Sequence, residues 1–341
     1  MGMDHDRGGA ELEELWQQHS GRAYDVAYRL LGSVHDAEDV VQDAYGRLVG
    51  VDLAEIYDVR GWLVTVTSRL CIDRLRAHEH SRRAYVGPWL PEPIVQLADP
   101  SPDVADQITL DESVQMALLV VLQQLSPAER TAFVLHDVFG LEFAEIGGIV
   151  GRSSDACRQL AHRARRRVSG ASKDHRYAVD RAEHEALARR FAAACATGDL
   201  EGLLAVLDPA VRGDFDSGGL VANAPLQTLR GAGEVAGQLI QAFEGVETRF
   251  SVTDVNGAPG VIVTLHGRVV AVIALAVSHG AINLIHAIGS PHKLSHLNRQ
   301  QGEREADADL AAGRGETFNS GEDFLDALRA RAKPAVRRRK R

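Results

Sequence analysis

Residues 125–168 read LSPAERTAFVLHDVFGLEFAEIGGIVGRSSDACRQLAHRARRRV, and the punctuation inside this stretch decides the fold. Ser126-Pro127-Ala128-Glu129 is a helix start: Ser as N-cap, Pro at the first helical position, and Glu three residues after the cap to close a capping box. Phe133, Val134 and Val138 follow at helical spacing, and Gly140 is placed to end the helix. A second short helix, Glu142 to Val150, turns Phe143, Ile146 and Val150 inward. Gly151 supplies a tight turn and Ser153 a second N-cap. The third helix, Ser153 to about Val168, keeps Ala156, Leu160 and Ala164 on one stripe. Its other side carries Arg158, His162 and Arg165 in one row, and Gln159, Arg163 and Arg166 in the next. Such a helix-turn-helix offers forked donors to guanine edges and to phosphates in a major groove. A merely solvated arginine face is the competing reading. The two N-caps, the turn glycine and the small inward alanines favour the DNA reader.

Composition bounds the remainder. A chain of 341 residues carries roughly two or three domains, and its 45% hydrophobic content is enough for real cores. The formal net charge of -9 excludes a uniformly basic nucleic-acid coat. Positive charge is local instead, at 74–83, at 158–167 and at the C-terminal end, so nucleic-acid contact is expected by patches. The three cysteines, Cys71, Cys157 and Cys195, stand far apart with no C-x-x-C, which suggests neither a disulfide framework nor a zinc knuckle and fits a reducing cytoplasm. No metal site and no cofactor motif is read. The polar N-terminus and the lack of any apolar run of spanning length lead us to expect no signal peptide and no membrane partner.

Working outward toward the N-terminus, residues 1–10 read as a disordered lead. From Glu11 the spacing of Leu12, Leu15, Trp16, His19, Ala23, Val26, Ala27 and Leu30 predicts a long amphipathic helix stopped by Gly32. In the next helix Ala37, Val40, Val41, Ala44 and Leu48 form the inner stripe. Asp36, Glu38, Asp39, Gln42 and Asp43 give it a polar, mostly acidic outer face, which alone reads as ordinary solvation near a helix N-terminus. A further helix opens at Arg60-Gly61-Trp62-Leu63, continues through Val66, Leu70 and Ile72-Asp73-Arg74-Leu75-Arg76, and ends at Arg82-Arg83.

At these residues the chain resembles region 2 of the sigma factors of the extracytoplasmic-function group. The matching runs are D-A-E-D-V-V-Q-D-A-Y at 36–45 and G-W-L…L-C-I-D-R-L-R at 61–76. The helix-turn-helix at 125–168 then looks like region 4 of the same group. The resemblance implies that Asp36, Glu38, Asp39, Gln42 and Asp43 dock core RNA polymerase, which is contacted through its beta-prime and beta subunits. It implies that the helix from Arg60 faces the -10 element, where a base is flipped from the opened strand. Ser68, Arg69, Arg74 and Arg76, with the 51–59 loop, are the candidates there; many relatives carry Asn at the position of Arg69. Region 4 would read the -35 element through Arg158, Gln159, His162, Arg163, Arg165 and Arg166.

Between the two regions, residues 86–110 read as an extended linker. Its opening Y-V-G-P-W-L-P-E-P (85–93) and further prolines at 100 and 102 favour polyproline-like chain. In the family such a linker lies in the polymerase RNA-exit channel, and this spelling resembles a subset with an extra C-terminal domain. The first region 4 helix is expected at 111–125.

After a polar hinge at 169–176, residues 177–207 read as one or two helices broken by Asp208-Pro209. Strand-like runs follow at 246–255, 260–265, 269–277 and 281–288, separated by Asn256-Gly257, His266-Gly267 and His279-Gly280, which is hairpin spelling. This α+β pattern, helices then a curved antiparallel sheet, resembles the SnoaL-like branch of the NTF2-like fold appended to some sigma factors. Free-standing members use pocket acids and bases, for which Asp216, Asp254, His266 and His286 are the candidates here. In the sigma-linked form the domain is regulatory and contacts the sigma regions. Two loops carry that resemblance: Asp216-Ser217-Gly218-Gly219-Leu220, against a D-G-G-G-K pattern, and Ser290-Pro291-His292-Lys293-Leu294, against N-P-D-K-L. Residues 298–341 read as a disordered basic tail with Phe324, Leu325 and Leu328 in a helical turn and Lys333 to Arg341 basic.

The expectation is therefore a non-enzymatic transcription factor with region 2 at 11–85, region 4 at 111–170 and a SnoaL-like regulatory domain at 177–297. A ligand-sensing helix-turn-helix regulator and a SnoaL-like isomerase or cyclase fused to a DNA-binding module are the alternatives.

Overall fold

The computed structural model describes residues 3–83, 85–96, 115–171, 180–220 and 224–311. Residues 1–297 form one compact unit.

α1 (Met3–Leu31) and α2 (Val34–Val49) pack against α3 (Val59–Arg83). α1 starts ahead of Glu11, so most of the polar lead is helical rather than disordered. Ser33 caps α2, accepting from Asp36 N, and Ala37, Val40, Ala44 and Leu48 are buried on its inner stripe. The linker residues that follow end in a short strand, β1 (Val95–Gln96).

The second helical group comprises α4 (Met116–Gln123), α5 (Pro127–Phe133), α6 (Phe143–Val150) and α7 (Ser154–Ala171). The capping box at Ser126 and Glu129 is present with Pro127 at the first turn. Beyond Phe133 the helix widens into a π-helical turn, Val134–Val138, before Gly140 (φ 73) ends it. Gly151 (φ 73) is the left-handed residue closing α6, and the Ser153 hydroxyl accepts from Ala156 N at 3.2 Å to start α7. Along α7 the buried stripe is Cys157, Leu160, Ala161 and Ala164; Ala156, expected inside, is only half-buried.

The two helical groups share one core. Tyr28 and Leu31 of α1, Val40 of α2 and Ile72 of α3 are continuous with Leu119, Leu135, Ile146 and Leu160. Two buried cations sit inside this junction: Arg29, paired with Asp25 at 2.7 Å and 5.4 Å from the Phe139 ring centroid, and Arg130. Arg130 is 2% exposed and donates to Leu30 O at 2.7 Å and to Gln123 Oε1 at 2.8 Å. Its charge meets the carbonyl end of α1, where the helix dipole favours a cation.

The third part starts with α8 (Arg181–Thr197) and α9 (Leu200–Leu204), followed by β2 (Leu207–Asp216), β3 (Leu229–Arg230) and α10 (Ala232–Phe243). Four long strands close it: β4 (Arg249–Val255), β5 (Ala258–Leu265), β6 (Arg268–Ser278) and β7 (Ala281–Ile288). The sheet order is β1-β4-β5-β6-β7-β2-β3. It is mixed rather than antiparallel, because β2 runs parallel to β7 with Asp214 beside His286 and Asp216 beside Ile288. The strand went unread because Asp208-Pro209 looks like a breaker; the strand absorbs it in an irregular pairing between Leu207 and Arg212. The three hairpin turns are as spelled, with Asn256, His266 and His279 at φ 52, 49 and 51, each followed by glycine.

One sheet face is filled by α8, α9 and α10, with Phe191, Leu203, Val235, Ile273 and Ile285 at its centre. The other face, Val255, Ile262, Val272 and Ile288, is covered by Leu90 and Val95 of the linker, by Met116 of α4, and by Leu294 and Leu297. α11 (Ser295–Ala311) begins there and is helical where disorder was expected from residue 298. The Phe324–Leu328 turn, the basic tail and most of the polar hinge lie outside the described residues, as do linker residues 97–110 and the expected start of the first region 4 helix, 111–114.

Candidate nucleic-acid interface

The outer side of α7 presents Arg158, Gln159, His162, Arg163 and Arg166 to solvent. Four of the basic residues of α7 are already positioned by carboxylates. Arg158 meets Asp155 at 2.7 Å, Arg163 meets Glu129 at 3.2 Å, and Arg165, half-buried, meets Asp137 at 2.7 Å. Glu129 also takes Arg167 at 3.0 Å. Burial alone would raise the Glu129 carboxyl, but the hydrogen bonds from Ser126 and the charges of Arg167 and Arg163 hold it below its ordinary value. Arg158 further lies over the Phe143 ring at 5.5 Å, so the row is anchored at its first turn.

α3 is less available. Ser68 is fully buried, so it cannot meet DNA in this arrangement, and its hydroxyl finds no hydrogen-bond partner among the described residues. Arg69 is exposed but donates to Gly148 O of α6 at 3.1 Å. Arg74 is half-buried and bonds Asp36 Oδ1 at 3.3 Å and Asp39 Oδ2 at 3.0 Å. Arg76 is exposed, with Asp73 at 3.7 Å. On α2, Gln42 and Asp43 are open, Glu38 is half-buried, and Asp36 and Asp39 are engaged by Arg74. Two of the acids read as a docking face thus neutralise an arginine read as a -10 contact.

Both half-kept loop motifs converge on the linker. Asp216 is 2% exposed and Lys293 4% exposed, and they pair at 2.6 Å. Asp216 Oδ1 accepts from the Tyr85 hydroxyl at 2.5 Å and from Gly218 N at 3.1 Å; Oδ2 accepts from Leu90 N at 2.8 Å. Lys293 donates to Leu90 O and lies 4.0 Å from the Trp89 ring centroid and 4.9 Å from that of Tyr85. Burial and the neighbouring Asp216 push the Tyr85 phenol far up. Gly218 (φ 65) brings the two loops together, since a Cβ there would stand 2.8 Å from Ser290 Oγ. Gly219 (φ 73) closes on Val86, whereas Pro291 and His292 are exposed and Leu294 is buried in the adjoining apolar layer.

A second set of contacts ties the same strap to α1 and α2. The Glu92 carboxylate accepts from Ser33 Oγ at 3.1 Å, Val34 N at 2.7 Å and His35 N at 3.2 Å. Burial raises its pKa, opposed by those donors. Asn256, at the β4–β5 turn, donates to the Tyr28 hydroxyl at 2.8 Å and accepts from Ile94 N at 3.1 Å. Tyr28 in turn donates to Glu92 O at 2.7 Å. Sequence reasoning passed over Tyr28, Glu92, Asn256 and Arg130. Only Asn256 had a signal, and it read as a turn.

The residues considered as pocket acids and bases do not assemble. Asp216 is in the clasp, Asp254 is held by Arg181 at 2.5 Å on β4, and His266 sits in a turn. His286, buried on β7, meets Asp214 at 3.3 Å. Among the described residues no group of His, Cys, Asp and Glu could hold a metal ion, the three cysteines are buried free thiols, and no helix is long and apolar enough to cross a membrane.

Comparison with known proteins agrees with this geometry. The sigma-70 region 2 family model matches residues 15–81 and the sigma-70 region 4 model residues 115–168. A Mycobacterium tuberculosis protein named as a probable ECF RNA polymerase sigma factor, SigI, is 37% identical over 298 residues, covering 85% of this chain and 97% of that one. The ECF RNA polymerase sigma factor SigJ of the same species is 42% identical over 226 residues, 66% of this chain and 70% of that one. The crystal structure of Mycobacterium tuberculosis SigJ matches with a TM-score of 0.65 at 34% identity, covering 84% of this chain and 98% of that one. The third part is an α+β domain built on a mixed sheet. With regions 2 and 4 in order and a relative aligned over nearly its whole length, the chain belongs to the extracytoplasmic-function family of RNA polymerase sigma factors, which are not enzymes.

Proposed function

We propose that this sigma factor binds core RNA polymerase through α2, reads -10 and -35 elements through α3 and α7, and is held idle by its third domain. The observation that carries the last part is the Asp216–Lys293 pair gripping Tyr85 and Leu90 of the linker. A linker so held keeps α3 and α7 on one shared core, with Ser68 buried and Arg69 and Arg74 occupied. A bipartite promoter needs those helices apart, so the closed arrangement opposes initiation. Release of the strap would free the linker for the polymerase channel and the arginines for DNA backbone and base edges.

The test is a core-polymerase pull-down and promoter transcription with the full chain and with a chain cut after Ala171. The cut chain should bind and transcribe better, and Glu38→Lys with Asp39→Lys should abolish binding in both. A cut chain that transcribes no better than the full one removes the third domain as a restraint.

A further inference from the structure

A cavity of about 550 Å3 lies between the second half of α3 and the helix-turn-helix. Its floor includes Ile72, Val150 and Leu160, all buried against the shared core. Its rim carries Arg76, Arg152 and Arg163, all exposed, and Gln159 adds an amide. Two carboxylates stand close, Asp73 beside Arg76 and Glu129 beside Arg163, but neither lines the cavity. Arg152 has no carboxylate partner among the described residues. The volume falls within the range of about 300–1,000 Å3 usual for small-molecule sites.

We infer that this cleft binds a phosphorylated nucleoside. Guanidinium forks match phosphate oxygens in pairs, and three of them on one rim leave an uncompensated positive charge at Arg152. The apolar floor is the complementary half: it suits a flat base and is wasted on an inorganic anion. One wall belongs to α3 and the other to the α5–α7 group, so the site exists only while regions 2 and 4 share their core. A ligand bound there favours the closed arrangement by its differential affinity for it. It also occupies Gln159 and Arg163. Only this transcriptional consequence rests on reading α7 as the -35 helix; the binding itself does not.

The experiment is calorimetric titration of the full chain with GTP, ATP and inorganic pyrophosphate, without DNA or polymerase. At least one nucleotide should bind one to one, at least tenfold more tightly than pyrophosphate. Arg152→Gln, at an exposed position outside the promoter-reading set, should weaken it at least tenfold while leaving thermal unfolding and promoter transcription unchanged. Absence of nucleotide binding, equal affinity for pyrophosphate, or an unaffected Arg152→Gln would each overturn the proposal. A -35 duplex should compete with the nucleotide. Binding that persists without such competition would break the assignment of α7 and keep the site.

Discussion

Where regions 2 and 4 meet, the contact is an apolar core holding two buried cations, Arg29 and Arg130. Where the strap meets the third domain and the start of α2, Leu90 and Val95 add an apolar layer, but the contact is dominated by a chain of buried polar groups around Asp216, Lys293, Glu92 and Asn256. The first kind of junction is broad, and its cohesion is spread over many side chains. The second is concentrated, because each buried polar atom has one or two partners and losing either leaves the other stranded. A restraint meant to be undone is better built the second way.

The sharpest break should come at the clasp. Asp216→Ala strands the Lys293 ammonium and should cost about 3–5 kcal/mol, the usual penalty for leaving a buried charge unpaired. Urea unfolding reads the loss, and amide exchange should place it first at residues 85–94. Combining it with Lys293→Met should recover most of the loss; a double variant as unstable as the single would mean the pair is not the seat of the clasp. At the apolar junction, Arg130→Met should cost less, about 2–3 kcal/mol, since the acceptors it leaves at Leu30 O and Gln123 Oε1 are neutral. Exchange should then rise at the end of α1 and across α4. Smaller still, Glu129→Gln should remove about 1 kcal/mol by taking away the carboxylate charge that Arg163 and Arg167 share, read as a lowered thermal midpoint.

The smallest effect separates the strap's carboxylate from that of the α5 cap by sign. Glu92 has a raised pKa, so its contribution is fully present below its ordinary value near 4.5 and is lost as pH rises through the elevated one. Glu129 has a lowered pKa, so its contribution is present above about 4.5 and is lost as pH falls through the depressed value. The stability difference between wild type and Glu92→Gln should therefore shrink with rising pH, and that for Glu129→Gln should shrink with falling pH. Curves of equal slope would refute the contrast.

Much of this was legible in the chain. Capping boxes, turn glycines and hairpin dipeptides act over a few residues, and Ser126, Gly151 and Asn256-Gly257 all do what their spelling says. β2 was hidden because its pairing with β7 is parallel and distant, with an aspartate-proline at its entrance. The two loop motifs were found by resemblance, yet their common target was not, since nothing local links Asp216 to Tyr85 or Lys293 to Leu90. The burial of Ser68 was not legible for a related reason: which side of a long helix faces solvent depends on the partner helix, and α3 has partners from both regions. Asn256 shows the limit most plainly, for the residue that makes the turn also bonds Tyr28 on a helix more than two hundred residues away.

One detail of the strap reaches beyond holding. Glu92 supplies three acceptor contacts to the start of α2, the helix proposed to dock polymerase. That helix end is thus partly completed by a residue borrowed from the linker. Thermodynamic coupling of this sort is reciprocal. Any grip on α2 that shifts its first turn must change the strap's affinity for its seat, and any pull on the strap must be felt at the docking helix by the same factor.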